Sequence, residues 1–300
     1  MEKLKSRIMV GALGHVTDPD FAIHCLRQGF AVSYPTFAKD ASKLEAELRE
    51  ILGAGIDYSL LGANLMPKST NYVEALSIVN LLPLGFISMS AGFDKEIFKK
   101  TEKPVLVKSS SVSLGECALK LGASAVIMMG ADAGGHVGFK DGQMVSTDKL
   151  VQEFGKPGST IWAGGITSED RFLQAKNRCL AVQMGTRFLC TEESPVNRKT
   201  KELYIKSKKS DTCLIPSTIG MPLRVIRNSF AELVLACDAP KPKNCVNCSL
   251  RCDRKYCLQE HIRLGMQGDM QEGLFPVTQH LEEIDSLLHL KDIASWQIEH

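Results

Sequence analysis

The chain has 300 residues with 44% hydrophobic content, enough to bury one large core or two unequal ones, which excludes disordered and fibrous classes. Lys+Arg 36 against Asp+Glu 34 leaves a formal charge of +2, so nothing electrostatic argues for nucleic acid or an anionic membrane, and a small-molecule substrate is the default partner. The N-terminal "MEKLKSRIMVGALGHVTD" has too brief an apolar run for a signal peptide or a membrane span, so a cytoplasmic location is expected, with a homodimer left open.

In chain order, apolar β-branched runs recur every few tens of residues: "RIMVG", "FAVSYP", "YSLLGANLM", "GFISMSAG", "PVLVKSS", "SAVIMMG", "STIWAGG" and "LAVQMGTRFL". Amphipathic segments separate most of them. "TDPDFAIHCLRQG" carries Asp18 at a helix N-cap, Pro19 in the first turn and Gly29 at the stop. "DASKLEAELREILGAG" reads as a second helix, and "TSEDRFLQAKNR" opens with a capping-box pattern from Thr167 to Asp170. Eight such strands predict an α/β fold of the closed (β/α)8 TIM-barrel type, although periodicity by itself also allows an open doubly wound sheet. A dinucleotide fingerprint needs G-x-G-x-x-G after the first strand, whereas "GALGHVTD" offers only Gly11 and Gly14. We expect the barrel over residues 1–205 and a smaller C-terminal cap over residues 206–300, covering the mouth with the last helices packing back.

Three glycine-bearing stretches follow the last three strands: "GADAGGHVG", "AGGITSED" and "QMGTRFLCTEES". Small residues there leave backbone N–H groups uncovered, which suits a phosphate cradle at the strands' C-terminal ends. In "MMGADAGGHVGFKDG" five glycines surround His136, an arrangement suited to close approach of a ligand. Cys190 reads as a small buried residue at a strand end.

With those stretches in this order, the sequence resembles the FMN-dependent nitronate monooxygenases, once called 2-nitropropane dioxygenases, and their relatives the FMN-dependent enoyl-acyl-carrier-protein reductases. "LGANLM" and "IGMPLRVIRN" also fall where the family has similar stretches. The resemblance implies FMN across the barrel mouth, its phosphate on the backbones of Gly164, Gly165, Gly185 and Thr186. It places Asn64 and Lys108 against the flavin ring or ribityl chain, with Gly11, Gly134, Gly135, Gln183 and Met184 completing the cofactor site. His136 is the implied catalytic residue, able to remove a carbon-bound proton.

"NCVNCSLRCDRKYC" sets Cys245, Cys248, Cys252 and Cys257 in a C-x2-C-x3-C-x4-C run, whose spacing suits a [4Fe-4S] cluster or a structural zinc, with reduced thiols as the plain alternative. The expected activity is oxidation of nitronates or nitroalkanes. The alternatives are an NAD(P)H-dependent reductase of an enoyl thioester and a non-catalytic, metal-braced binding protein.

Overall fold

In the computed structural model, which describes residues 5–138 and 143–298, all eight expected runs form strands. The end of the glycine-rich stretch, residues 139–142, lies outside the described residues. The strands are β1 (Ile8–Val10), β2 (Ala31–Pro35), β3 (Leu61–Leu65), β4 (Phe86–Met89), β5 (Val105–Ser109) and β6 (Ala125–Met129), then a two-residue β7 (Gly135–His136), β8 (Thr160–Ala163) and β9 (Ala181–Met184). Helices alternate with them: α1 (Pro19–Arg27), α2 (Ala41–Gly53), α3 (Tyr72–Leu81), α4 (Ile97–Lys100), α5 (Val112–Lys120), α6 (Thr147–Phe154), α7 (Glu169–Lys176) and α8 (Thr186–Leu189). The barrel closes in the order β1-β2-β3-β4-β5-β6-β8-β9, with β9 paired to β1 through Met9 and Gln183. It is a (β/α)8 TIM barrel.

Local chemistry explains the punctuation. Asp18 accepts from Phe21 N at 2.8 Å and caps α1, a contact that stabilises a helix by about 1 kcal/mol. The start of α7 differs from expectation, because Ser168 and not Thr167 is its N-cap. The Thr167 hydroxyl instead donates to Glu283 at 2.6 Å, so a contact from the far end of the chain takes the side chain that local spacing assigned to the helix.

The strands bury nearly every residue, as an all-parallel sheet wrapped by helices requires. Past the barrel, α9 (Arg198–Lys206) is followed by β10 (Thr212–Pro216) and β11 (Pro222–Ile226), then α10 (Ser229–Leu235), α11 (Leu258–Met266) and α12 (Leu290–Ser295). An antiparallel sheet β10-β11-β7 rises over the mouth, pairing Leu223 with His136 and Arg224 with Gly135. Ile215, Leu223, Val225, Phe230, Val234, Tyr256 and Leu258 make a second, smaller apolar core, in which Phe230 stacks on His261 with centroids 3.6 Å apart. From Phe275 onward the chain leaves that core: Phe275, Val277, Leu281, Ile284, Leu290, Ile293 and Trp296 pack into the core of the barrel. Among the described residues no helix is long and apolar enough to cross a membrane.

Candidate active site

Parallel register brings the C-terminal ends of the strands to one face, where Asn64 pairs with Ser88, Lys108 with Ile127, Ala163 with Gln183, and Val10 with Met184. His136 stands beyond the end of β6, on the two-residue β7. Its pairing with β11 fixes the backbone, and its Nε2 lies 3.1 Å from Ser217 Oγ at the tip of the β10–β11 hairpin. Nδ1 makes no hydrogen bond to a described residue. Burial, with a smaller contribution from the nearby Lys108 charge, lowers the His136 pKa to about 4, so the imidazole is neutral throughout the physiological range.

Lys108, the penultimate residue of β5, is likewise lowered by burial, to about 8, which keeps most of it protonated at neutral pH. Among the described residues it has neither a carboxylate partner nor a hydrogen-bond acceptor. A half-buried cation without a counter-charge is costly, and such a group is suited to an anion that arrives from outside.

Gly164 and Gly165 turn the chain after β8 with φ of 98° and 80°, a region that L side chains avoid. A Cβ at Gly164 would lie 2.6 Å from Ala133 Cα, so the turn after β8 touches the loop that leads to His136. The N–H groups of Gly164, Gly165, Gly185 and Thr186 donate to no acceptor among the described residues. Four uncommitted amides beside two strand ends fit the phosphate that the resemblance implies. The two glycines also line a cleft of about 270 Å³ together with Asp132, Arg171, Arg178 and His280.

The remaining expected residues have structural partners as well. Asn64 donates to Ser88 Oγ at 3.0 Å and accepts from Ser90 Oγ at 2.9 Å, so it meets the mouth as part of a polar network and not as a free amide. Gln183 is buried with its amide 3.1 Å from Met9 Sδ, and Gly11 N donates to Met184 O at 2.9 Å, sealing β1 to β9. Gly135 has φ of 71°, and a Cβ on Gly134 would lie 2.7 Å from Thr278 N.

That last contact exposes a part of the site that the sequence reading missed. Thr278 N donates to Thr186 Oγ1 at 3.1 Å and Thr278 Oγ1 to Asp132 O at 2.7 Å, while Gln279 and His280 approach the Asp132 carboxylate. Burial pushes the Asp132 pKa up, but its bonds to His280 and Thr147 outweigh that and hold it below the usual range. His280 Nδ1 accepts from Arg171 Nη2 at 2.9 Å, and Arg171 pairs with Glu283 at 2.6 Å. A returning C-terminal segment thus locks the loops after β6, β8 and β9 together. No local pattern in "PVTQHLEE" announces this, since its role depends on where the chain end lands.

The expected metal centre is not assembled. Cys245, Cys248, Cys252 and Cys257 are free thiols, and among the described residues no group of three or more ligating side chains is placed to hold a metal. The loop's backbone instead reaches out to separate anchors: Thr70 N donates to Cys248 O, Leu250 N to Lys68 O, and Asp253 N to Thr218 O. These bonds tie the segment to the loop after β3 and to the hairpin tip. No chemistry is assigned to a metal here.

Comparison with known proteins agrees with this geometry. The family described as nitronate monooxygenase matches residues 37–296. A probable nitronate monooxygenase from Staphylococcus saprophyticus is 29% identical over 181 residues, 55% of this chain and 50% of that relative, so the alignment takes in only half of the relative's length. Among solved structures, a point mutant of FabK from Thermotoga maritima superimposes with a TM-score of 0.79 at 25% identity, covering 97% of this chain and 90% of the other. Nitroalkane oxidase from Streptomyces ansochromogenes reaches a TM-score of 0.82 at 19% identity, covering 99% and 96%, which shows a shared fold.

Proposed function

Because the chain belongs to the nitronate monooxygenase family, we propose that it is an FMN-dependent oxidoreductase acting on nitronates and nitroalkanes. The observation that carries this reading is the proximity of a neutral, partly buried imidazole at His136 to an ammonium at Lys108 that no carboxylate among the described residues neutralises. A nitroalkane is a carbon acid whose conjugate base, the nitronate, holds its negative charge on the nitro oxygens. His136 takes the carbon-bound proton, and the Lys108 charge stabilises the anion that forms.

The uncommitted amides of Gly164, Gly165, Gly185 and Thr186 hold the FMN phosphate, and Asn64, presented by its serine network, borders the ring. When bound, FMN supplies the electron acceptance that none of these side chains can provide. The β10–β11 hairpin and the segment from Thr278 to His280 cover the mouth and limit water around the transferred proton.

An ultraviolet-visible spectrum of purified protein, repeated anaerobically with a nitronate, tests the reading. Flavin bands that bleach on addition support it; protein that retains no flavin overturns it. His136→Ala should keep FMN and lose roughly two or more orders of magnitude in nitroalkane turnover. Rapid NAD(P)H oxidation with an enoyl thioester, without nitronate turnover, would instead identify a reductase of activated alkenes.

A further inference from the structure

Among the described residues, Ser217 is the one side chain that touches the His136 ring through a hydrogen bond, and it belongs to the hairpin tip and not to the barrel. It is 6% exposed and over-determined. Ser217 N donates to Met221 O at 3.2 Å and Gly220 N to Ser217 O at 3.1 Å, closing a turn in which Gly220 has φ of 80°. The carbonyls on either side are held from the four-cysteine loop: Tyr256 OH donates to Pro216 O at 2.8 Å and Asp253 N to Thr218 O at 2.8 Å. Tyr256 itself is buried against Phe230 in the second core. The backbone that carries the hydroxyl is thereby held from three directions, as the support of a hydrogen-bond anchor for a reacting group must be.

We propose that Ser217 is the positioning residue for His136, accepting a hydrogen bond from Nε2–H so that the lone pair of the neutral ring is kept on Nδ1, the nitrogen with no partner among the described residues. This rests on the reading of His136 as the base for neutral nitroalkanes. The C–H proton of the substrate passes to Nδ1, its bonding electrons pass to the nitro group, and Nε2–H stays on Ser217 throughout. Around the ring the charged groups are Lys108 on β5, Arg224 on β11 and Asp132 in the preceding loop. Arg224 is turned to Ala131 O and Asp132 to Thr147 N, so neither competes for the imidazole. The four-cysteine loop acquires a role that needs no metal, since it buttresses the turn carrying this hydroxyl.

The test compares the flavin-loaded wild type, Ser217→Ala, Ser217→Thr and His136→Ala, with nitroethane and its pre-formed nitronate as probes. Only nitroethane requires proton removal. Ser217→Ala should lower kcat/KM for nitroethane about tenfold, the scale of one hydrogen bond, while shifting the nitronate value less than about twofold and leaving the flavin spectrum in place. Ser217→Thr, which keeps a hydroxyl, should recover most of the nitroethane activity. Equal losses on both probes, or no loss on nitroethane, overturn the proposal, and so does full nitroethane turnover by His136→Ala. If the wild type turns over neither probe, the assigned activity has failed by itself, and the ring is then read directly: 15N NMR of the holoprotein should show His136 protonated on Nε2 in the wild type and mixed between nitrogens in Ser217→Ala. A mixture already present in the wild type would refute the role.

Discussion

Gly164 is where the proposed phosphate cradle touches the loop carrying His136, and Gly164→Ala tests that joint. The added methyl would lie 2.6 Å from Ala133 Cα, 2.7 Å from Ala133 N and 2.8 Å from Ala133 Cβ, closer than such atoms approach, and two of these are backbone that no rotamer change can move aside. The residue also sits at φ of 98°, so alanine incurs about 1–2 kcal/mol of backbone strain in addition to about 1–3 kcal/mol of overpacking. Together these give roughly 2–5 kcal/mol, which for a chain of this length lowers the melting temperature by about 3–8 °C. Ala133 lies three residues before His136, so any relief by backing the loop away also displaces the base. Gly53 is the control: it ends α2 with nothing within 4 Å of its Cβ position and no left-handed φ, so Gly53→Ala should be neutral or stabilise by up to about 1 kcal/mol. Differential scanning calorimetry and flavin retention after gel filtration read both variants. A Gly164→Ala protein that melts with the wild type and keeps its flavin would refute the coupling.

For His136, with a pKa lowered to about 4, the acid limb of nitroalkane kcat/KM should lie well below the ordinary 6.5, and a limb at 6.5 would contradict the burial argument. The same shift makes folding stability decline as pH falls from about 6.5 toward 4, because the unfolded chain takes up that proton first, and it contributes nothing above that window; urea titrations at several pH values would read it. Lys108→Met should move the acid limb upward by only part of that gap, since burial is the larger cause, and should remove an alkaline limb near 8 that the wild type shows as Lys108 loses its charge. Native thiol titration should find exposed Cys237 and Cys245 reacting first and buried Cys25, Cys179, Cys190 and Cys213 only on unfolding, whereas one iron cluster or zinc per chain would show the cysteine loop gathered about an ion.

The barrel was legible because each strand and helix carries its own periodic signal over a few residues, and a parallel (β/α)8 arrangement then sends every strand end to the same face. The family resemblance then singled out Lys108, Asn64, Gly164 and Gly185 among the residues at those strand ends. What sequence order alone could not supply are contacts between distant segments. His136 meets Ser217 across 81 positions, Thr167 meets Glu283 across 116, and Gln279 reaches Asp132 across 147. The cysteine spacing carried less for the same reason: whether four thiols close in sequence share one ion depends on how the backbone between them is held, and among the described residues no group of three or more ligating side chains is placed to hold one, while the segment is anchored at Lys68, Thr70 and Thr218. Local propensity thus determined the elements and the face on which the chemistry sits. That Ser217 meets the His136 ring, and that Thr278 closes on Thr186 and Asp132, was decided by tertiary packing, because those hydrogen bonds exist only once the segments beyond the barrel strands have returned to its mouth.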